Sequence, residues 1–577
     1  INADAHQDGA TIDGGSLVQF APITTDAVVE VADGNSGNIS EDIFFDIDSF
    51  DITATGNALI GDSSHTGNIF LGNDLDNITC SSACNLVIQN SSSGQILLSS
   101  DIATAGGLLT LTSGNGVTLQ DLSNNVIADI NLGAGAFTAT GAATLADASI
   151  VITATGGISF SSTIDADNAS SNDRNLTMDA GTGSTIAVAG NVGASQALAG
   201  LTITQSNGTT FSGSVNVSDS NSGTLTITDT SDNADITFAG SVTADSLDLA
   251  QQGYDLVFNG GGTFTNAVTF DNTGTLNLGN ASSDAFTFNG GLTETTNGTV
   301  TLASEISSSN DAISFGAVTL GANTTINTNA SDTTGDITIG AVTGGSNSLT
   351  LSMGNNVANT DITASGAISG VTTLTLSNVG GTATLSGDVD VTTLAVDNTV
   401  ANVAFTGNGS SVTNAVSFAN DGTLILGASG TTQTYNGGLT TTSVGSTVTL
   451  NGSIKTSSDA IVLGAVTLAN PVTIDTDATN NSGDITIGTV TGSSQNFAME
   501  TGNNIAGADV TASGAISGVA TLMLDNIGGT ATLSGDVDIT TLDVDNTVAN
   551  VAFTGNGSSV TNAFTPANDG TFVFGTS

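Results

Sequence analysis

The 577 residues carry 53 acidic side chains against two basic ones, a formal net charge of −51, with 73 Gly, 3 Pro, 2 Cys and no Trp. Two cations cannot neutralise phosphates, so nucleic acid is excluded as a partner; anionic bilayer surfaces repel such a chain, and no apolar run approaches the ~18 residues of a membrane-spanning helix, so membrane insertion is excluded too. Hydrophobic residues at 38% and a positive mean hydropathy argue against a disordered polyelectrolyte.

The acidity has a particular form. Five acids are Glu (Glu30, Glu41, Glu294, Glu305 and Glu500) and the other 48 are Asp. Glu would serve solubility equally well, whereas the short Asp side chain bonds backbone N–H groups in turns. Helix-forming Glu and Lys are nearly absent. The charge bias is therefore partly a fold bias towards strands and turns.

In chain order, the sequence opens on Ile1 where a primary product has Met, without a basic, apolar leader; the expectation is removal of an export signal, the alternative an artificial boundary of the chain. Residues 1–50 are not repeat-like and are expected to form a non-repeat or capping segment, with Phe44 and Phe45 covering the first sheet edge. Residues 51–220 have strand texture without a fixed register and read as irregular coils. Within them Cys80 and Cys84 flank Ser-Ser-Ala, a spacing suited to a local disulfide in an exported protein; a pair of free thiols is the alternative.

Residues 221–577 repeat. Gly366–Gly427 returns as Gly514–Gly575, an offset of 148, with 50 of 62 positions identical. The same offset links Gly335-Asp-Ile-Thr-Ile-Gly340 to Gly483-Asp-Ile-Thr-Ile-Gly488, and the last copy is truncated. Inside each block a strand closes on Gly and an aliphatic residue follows two positions later, as at Gly340, Gly366, Gly387 and Gly464. Six such units per block give coils of roughly 25 residues, within the range of solenoid repeats. A unit so short has no core of its own and must stack on its neighbours. The expectation is an all-β fold: an elongated, right-handed parallel β-solenoid, or β-helix. Tandem β-sandwich domains are the alternative.

Differences between the copies assign the faces. Leu374 and Leu376 stay Leu at 522 and 524, while Thr375 becomes Met523 and Ser377 becomes Asp525; Leu394 and Val396 match Leu542 and Val544 while Ala395 becomes Asp543. Alternate residues point to opposite faces, so the preserved apolar set faces a core, which most Phe side chains, Phe405 and Phe553 among them, are expected to fill.

The Gly-Asp-Ile-Thr-Ile-Gly, Thr-Ala-Thr-Leu-Ser-Gly and Gly-Thr-Val-Thr-Leu texture resembles the β-strand repeats of secreted bacterial surface proteins, namely filamentous haemagglutinin-like adhesins and autotransporter passengers. That resemblance implies an extracellular or cell-surface location and a non-catalytic structural or adhesive role.

The chemistry present is sparse. Arg174 and Lys455, the only permanent cations, are far apart in sequence, so a lyase lacks a group to neutralise its substrate's acid; Asp recurs in turns everywhere, so no hydrolase pair stands out. An enzyme is not expected. No cofactor is required, and the one ion the composition suits is Ca²⁺, which takes carboxylate and carbonyl oxygens. The densest candidates are Asp475, Asp477 and Asp484, with Asp332 and Asp336 in the matching loop; Asp165, Asp167 and Asp173 form another group. The alternative for each is a solvated turn carboxylate. The expected role is a rod in a cell-surface filament, sheath or fibre, by self-association into a homopolymer or packing with surface components. Alternatives are an adhesin stalk displaying a glycan- or surface-binding tip and, remotely, a polysaccharide-active β-helix enzyme.

Overall fold

The computed structural model describes residues 10–12, 17–20, 29–32, 43–46, 49–52, 56–71, 77–80, 82–91, 93–99, 101–120, 128–167, 174–219, 223–294 and 298–575, with side chains from residue 56 onward except 77, 128 and 129. Among the described residues there are strands and no helix. Successive coils, about 21 of about 23 residues each, stack in parallel as a β-solenoid. The described registers are parallel throughout, as for Thr382–Leu385 on Asn402–Phe405, which rules out the sandwich alternative with its antiparallel sheets.

The chain divides into two compact units: Ile1–Asn280 with Asp284–Phe288 and Glu294–Val300, and Ala281–Ser283 with Asn289–Thr293 and Thr301–Ser577.

In the first unit each coil contributes to three faces, as Gly200–Gln205, Thr209–Phe211 and Val215–Val217 do. These stack on Thr224–Ile227, Asp235–Phe238 and Val242–Ala244 of the next coil. Although residues 1–50 carry no legible repeat, their described strands join the same parallel sheets: Ala10–Ile12 pairs with Phe50–Ile52, and Leu17–Phe20 with Asn57–Ile60. The side chains of Phe44 and Phe45 lie outside the described residues.

The core is a set of columns of like residues, because parallel stacking in register puts equivalent side chains directly over one another. Phe211, Phe238 and Phe258 share one column. Their rings stack at centroid separations of 5.2 and 5.0 Å, tilted by only 2° and 9°. Phe264 and Phe288 stack likewise at 5.2 Å.

In the second unit the faces fall where the repeat differences place them. Leu374, Leu376, Leu522 and Leu524 are buried, and Leu394, Val396, Leu542 and Val544 nearly so, while Met523 and Asp543 are exposed. Phe405 and Phe553 are buried; Phe574, the counterpart of buried Leu426, is 62% exposed.

The repeat is not a whole number of coils, contrary to the six units expected. Ile337–Ile339 starts a column that runs through Ile362, Ala383, Val403, Leu424, Val448 and Val466 to Val490. Its sequence counterpart, Ile485–Ile487, stands instead in the column of Val416, Leu439 and Ile461. Each copy is thus turned by one face relative to the last, and identical residues of the two copies look out in different directions.

Phe238 has a ring against each side, so Phe238→Ala removes two stacking contacts and leaves a cavity between coils. It is expected to cost about 3–5 kcal/mol. The loss should appear in hydrogen exchange as faster opening of 209–211, 235–238 and 255–258, with distant coils unchanged because coupling runs between neighbours.

Candidate functional site: the acidic turns

In a parallel solenoid the strands satisfy one another, but the corners leave backbone N–H groups that need acceptors. Short side chains supply them in two ways. The first is local, as the sequence implies. Asp62 Oδ1 accepts from the N–H and hydroxyl of Ser64 at 2.7 and 2.6 Å, and Asp332 Oδ1 from those of Thr334 at 2.9 and 2.7 Å. Bonding to the charged form favours it. The Ser64 hydroxyl is the main reason Asp62 lies below the usual carboxylate range, and the Thr334 hydroxyl, followed by Asn310, holds Asp332 down likewise.

The second way joins one coil to the next. Asp336 Oδ1 accepts the N–H of Asp361 at 2.8 Å, and Asp361 Oδ1 accepts that of Thr382 at 2.6 Å. The following copy repeats this, with Asp484 accepting from Asp509 at 2.9 Å and Asp509 from Thr530 at 2.7 Å. Asn402 and Asn550 continue the series by accepting from Thr423 and Thr571. In the first unit Asp255 accepts from Thr275 at 2.6 Å.

Sequence reasoning missed this inter-coil role, yet a signal existed: the donor Thr follows Gly at Gly274, Gly381, Gly422, Gly529 and Gly570. The glycine is required by close approach, since a Cβ on Gly381 would fall on Oδ1 of Asp361 and one on Gly529 on Oδ1 of Asp509.

The candidate metal ligands divide between these jobs. Asp475 Oδ1 accepts the N–H of Asp477 at 2.8 Å, and its Oδ2 receives the Lys455 ammonium at 2.8 Å. Asp477 Oδ1 is bonded by the Asn503 amide, and Asp484 faces the next coil. Asp332 caps its own turn while Asp336 bonds the following coil. Asp165 accepts from Ser195, and Asp167 holds Arg174 through two 2.8 Å bonds; Asp173 lies outside the described residues. Among the described residues no three His, Cys, Asp or Glu side chains converge as a metal-holding group. Cys80 and Cys84 are joined in a disulfide, with Cα atoms 6.0 Å apart and both side chains buried.

Both cations of the chain are thus paired. Arg174 is buried against Asp167, whereas the Lys455 side chain is 42% exposed. The Asp475 hydrogen bond raises the Lys455 ammonium's pKa.

Elsewhere on the second unit lies an open groove of about 530 Å³, lined by Ser346, Thr372, Asp390, Thr392, Ser411 and Thr413. Its Asp390–Ser411 register recurs as Asp538–Ser559 in the next copy.

Asp361→Ala leaves the Thr382 N–H without its acceptor and is expected to cost about 1–3 kcal/mol in local opening. Asp361→Asn keeps an acceptor oxygen at the same reach and is expected to be nearly neutral. Asp361→Glu displaces that oxygen by a methylene and should behave like Ala. Hydrogen exchange in peptides covering 380–386 separates the three.

No protein-family model, curated protein or solved structure matches this chain.

Proposed function

We propose that the chain is a non-catalytic extracellular structural protein, a β-solenoid that forms or contributes to a cell-surface filament, sheath or fibre. The observation that carries this reading is the use of its polar side chains: Asp and Asn at the corners are spent on backbone N–H groups of their own or the next coil. The two cations are held in ion pairs. A disulfide at Cys80–Cys84 suits an oxidising compartment. The one-face turn between copies offers the same outward residues in different directions, which suits contact with neighbours on more than one side.

A second reading, a stalk that displays a glycan- or surface-binding site in the manner of filamentous haemagglutinin-like adhesins, is favoured by the hydroxyl-lined groove around Asp390 and Thr392. A glycan array addresses it directly.

Electron microscopy of the purified chain tests the first reading: regular filaments or lateral bundles are expected, and single particles of constant length would reject it. Self-repulsion from −51 charges opposes such packing, so divalent cations are expected to promote it by diffuse uptake at the carboxylates. Millimolar Ca²⁺ should raise Tm relative to chelator, and an unchanged Tm rejects the cation dependence.

A further inference from the structure

One column of side chains distinguishes the two copies. In the earlier copy Ser307, Asn327, Ser352 and Ser377 lie in register on successive coils. Their counterparts 148 residues on are Lys455, Asp475, Glu500 and Asp525, again in register. All four neutral residues have become charged, and the column takes the chain's only lysine and one of its five glutamates.

The charges do not balance. Lys455 bonds Asp475 at 2.8 Å, while Asp525 is met by the Thr547 hydroxyl at 2.9 Å, a neutral donor. Glu500 sits between these carboxylates. Facing it are Asp475 and, beyond it, Lys455 from the preceding coils, and Asp525 and Asn526 from the following one; Asp477 lies beside Lys455. Parallel neighbours are about 4.8 Å apart, so ionised Glu500 has a carboxylate on either side and, instead of an adjacent cation, only a neutral hydrogen-bond partner in the Asn526 side chain.

We propose that Glu500 and Asp525 form an acid-closed clasp between coils: as pH falls Glu500 takes a proton from solvent, and the neutral acid donates its O–H to the Asp525 carboxylate. Asp525 is the acceptor because both oxygens of Asp475 are engaged, one by Lys455 and the other by the Asp477 N–H. A repulsive step in the column becomes a hydrogen-bonded one, as when two carboxyl groups share a site and one proton. Burial, followed by repulsion from Asp475 and Asp525, pushes Glu500 above the ordinary glutamate range.

The sign follows from linkage. The folded chain binds this proton more tightly than the unfolded chain, so Glu500 adds stability as pH falls between its folded and unfolded values, and the ionised form costs stability at neutral pH. Asp62 and Asp332 act oppositely: their contribution is present above the unfolded carboxylate value and is lost as pH falls through their depressed folded values.

Carboxyl NMR of the full chain labelled with ¹³C-glutamate tests the clasp, with the Glu500 signal identified by its loss in Glu500→Gln. The Glu500 midpoint is expected above the ordinary glutamate range, to fall towards it in Asp525→Asn and to rise in Lys455→Met. A midpoint at or below that range, or one that Asp525→Asn leaves in place, overturns the proposal. Hydrogen exchange supplies the mechanical readout. Strand 522–525 should open less readily in the wild type, relative to Glu500→Gln, at acid pH than at neutral pH; an unchanged difference between the two proteins across pH overturns the clasp as a link between coils.

Discussion

Parallel strands meet one another's hydrogen bonds along their length, but the corner that carries the chain from one face to the next leaves N–H groups with no strand partner. Orphaned donors cost about as much as a lost hydrogen bond each, and a stack of short coils has a corner every few residues. The oxygen of a short side chain one coil below the donor is what this chain uses, and much of its composition follows. Asp and Asn have the reach; Glu is a methylene too long. The carboxylate must lie against the backbone of the next corner, so Gly precedes the donor at Gly381 and Gly529. Acidity, glycine content and the scarcity of Glu are thus linked consequences of one geometric need.

The strand faces were legible because alternation is local: Leu374 and Leu376 against Thr375 and Ser377 require no knowledge of what stacks on them. That the chain is a parallel solenoid was legible from units too short to fold alone. Three things were not. The inter-coil bonds were read as local turns, since Asp361 and Thr382 are far apart in sequence and meet only through the register. The turn of each copy by one face was hidden because a sequence period fixes distance along the chain and not direction around it. The column through Lys455 was invisible for the same reason: its members are spread over many residues and become neighbours only after stacking. The grouping of Asp475, Asp477 and Asp484 came from proximity in sequence, whereas Asp484 belongs to the corner that serves the next coil.

The net charge of −51 reads differently with these roles assigned. A carboxylate that accepts a backbone N–H has part of its charge answered by a dipole, so local cost is small even where no cation is near. What remains is the long-range field of the whole chain, screened beyond ~10 Å at ordinary salt. That field acts between molecules more than within one, because inside each coil the donors are already in place. Acidity of this origin is compatible with a stable fold and at the same time sets a condition on packing copies side by side.

The column around Glu500 shows how the same architecture can be given a different response. Most titrating groups with a resolved preference for the charged state, such as Asp62, hold the fold better when ionised. Glu500 has two carboxylate neighbours where Ser352 in the earlier copy has Asn327 and Ser377, and stacking in register fixes that proximity on every coil involved. A solenoid transmits stability between adjacent coils, so a single such column can alter how readily its own stretch opens while leaving distant coils alone. Repetition supplies the scaffold, and substitution at one column gives one copy a dependence on pH that the other, with neutral residues at the same positions, lacks.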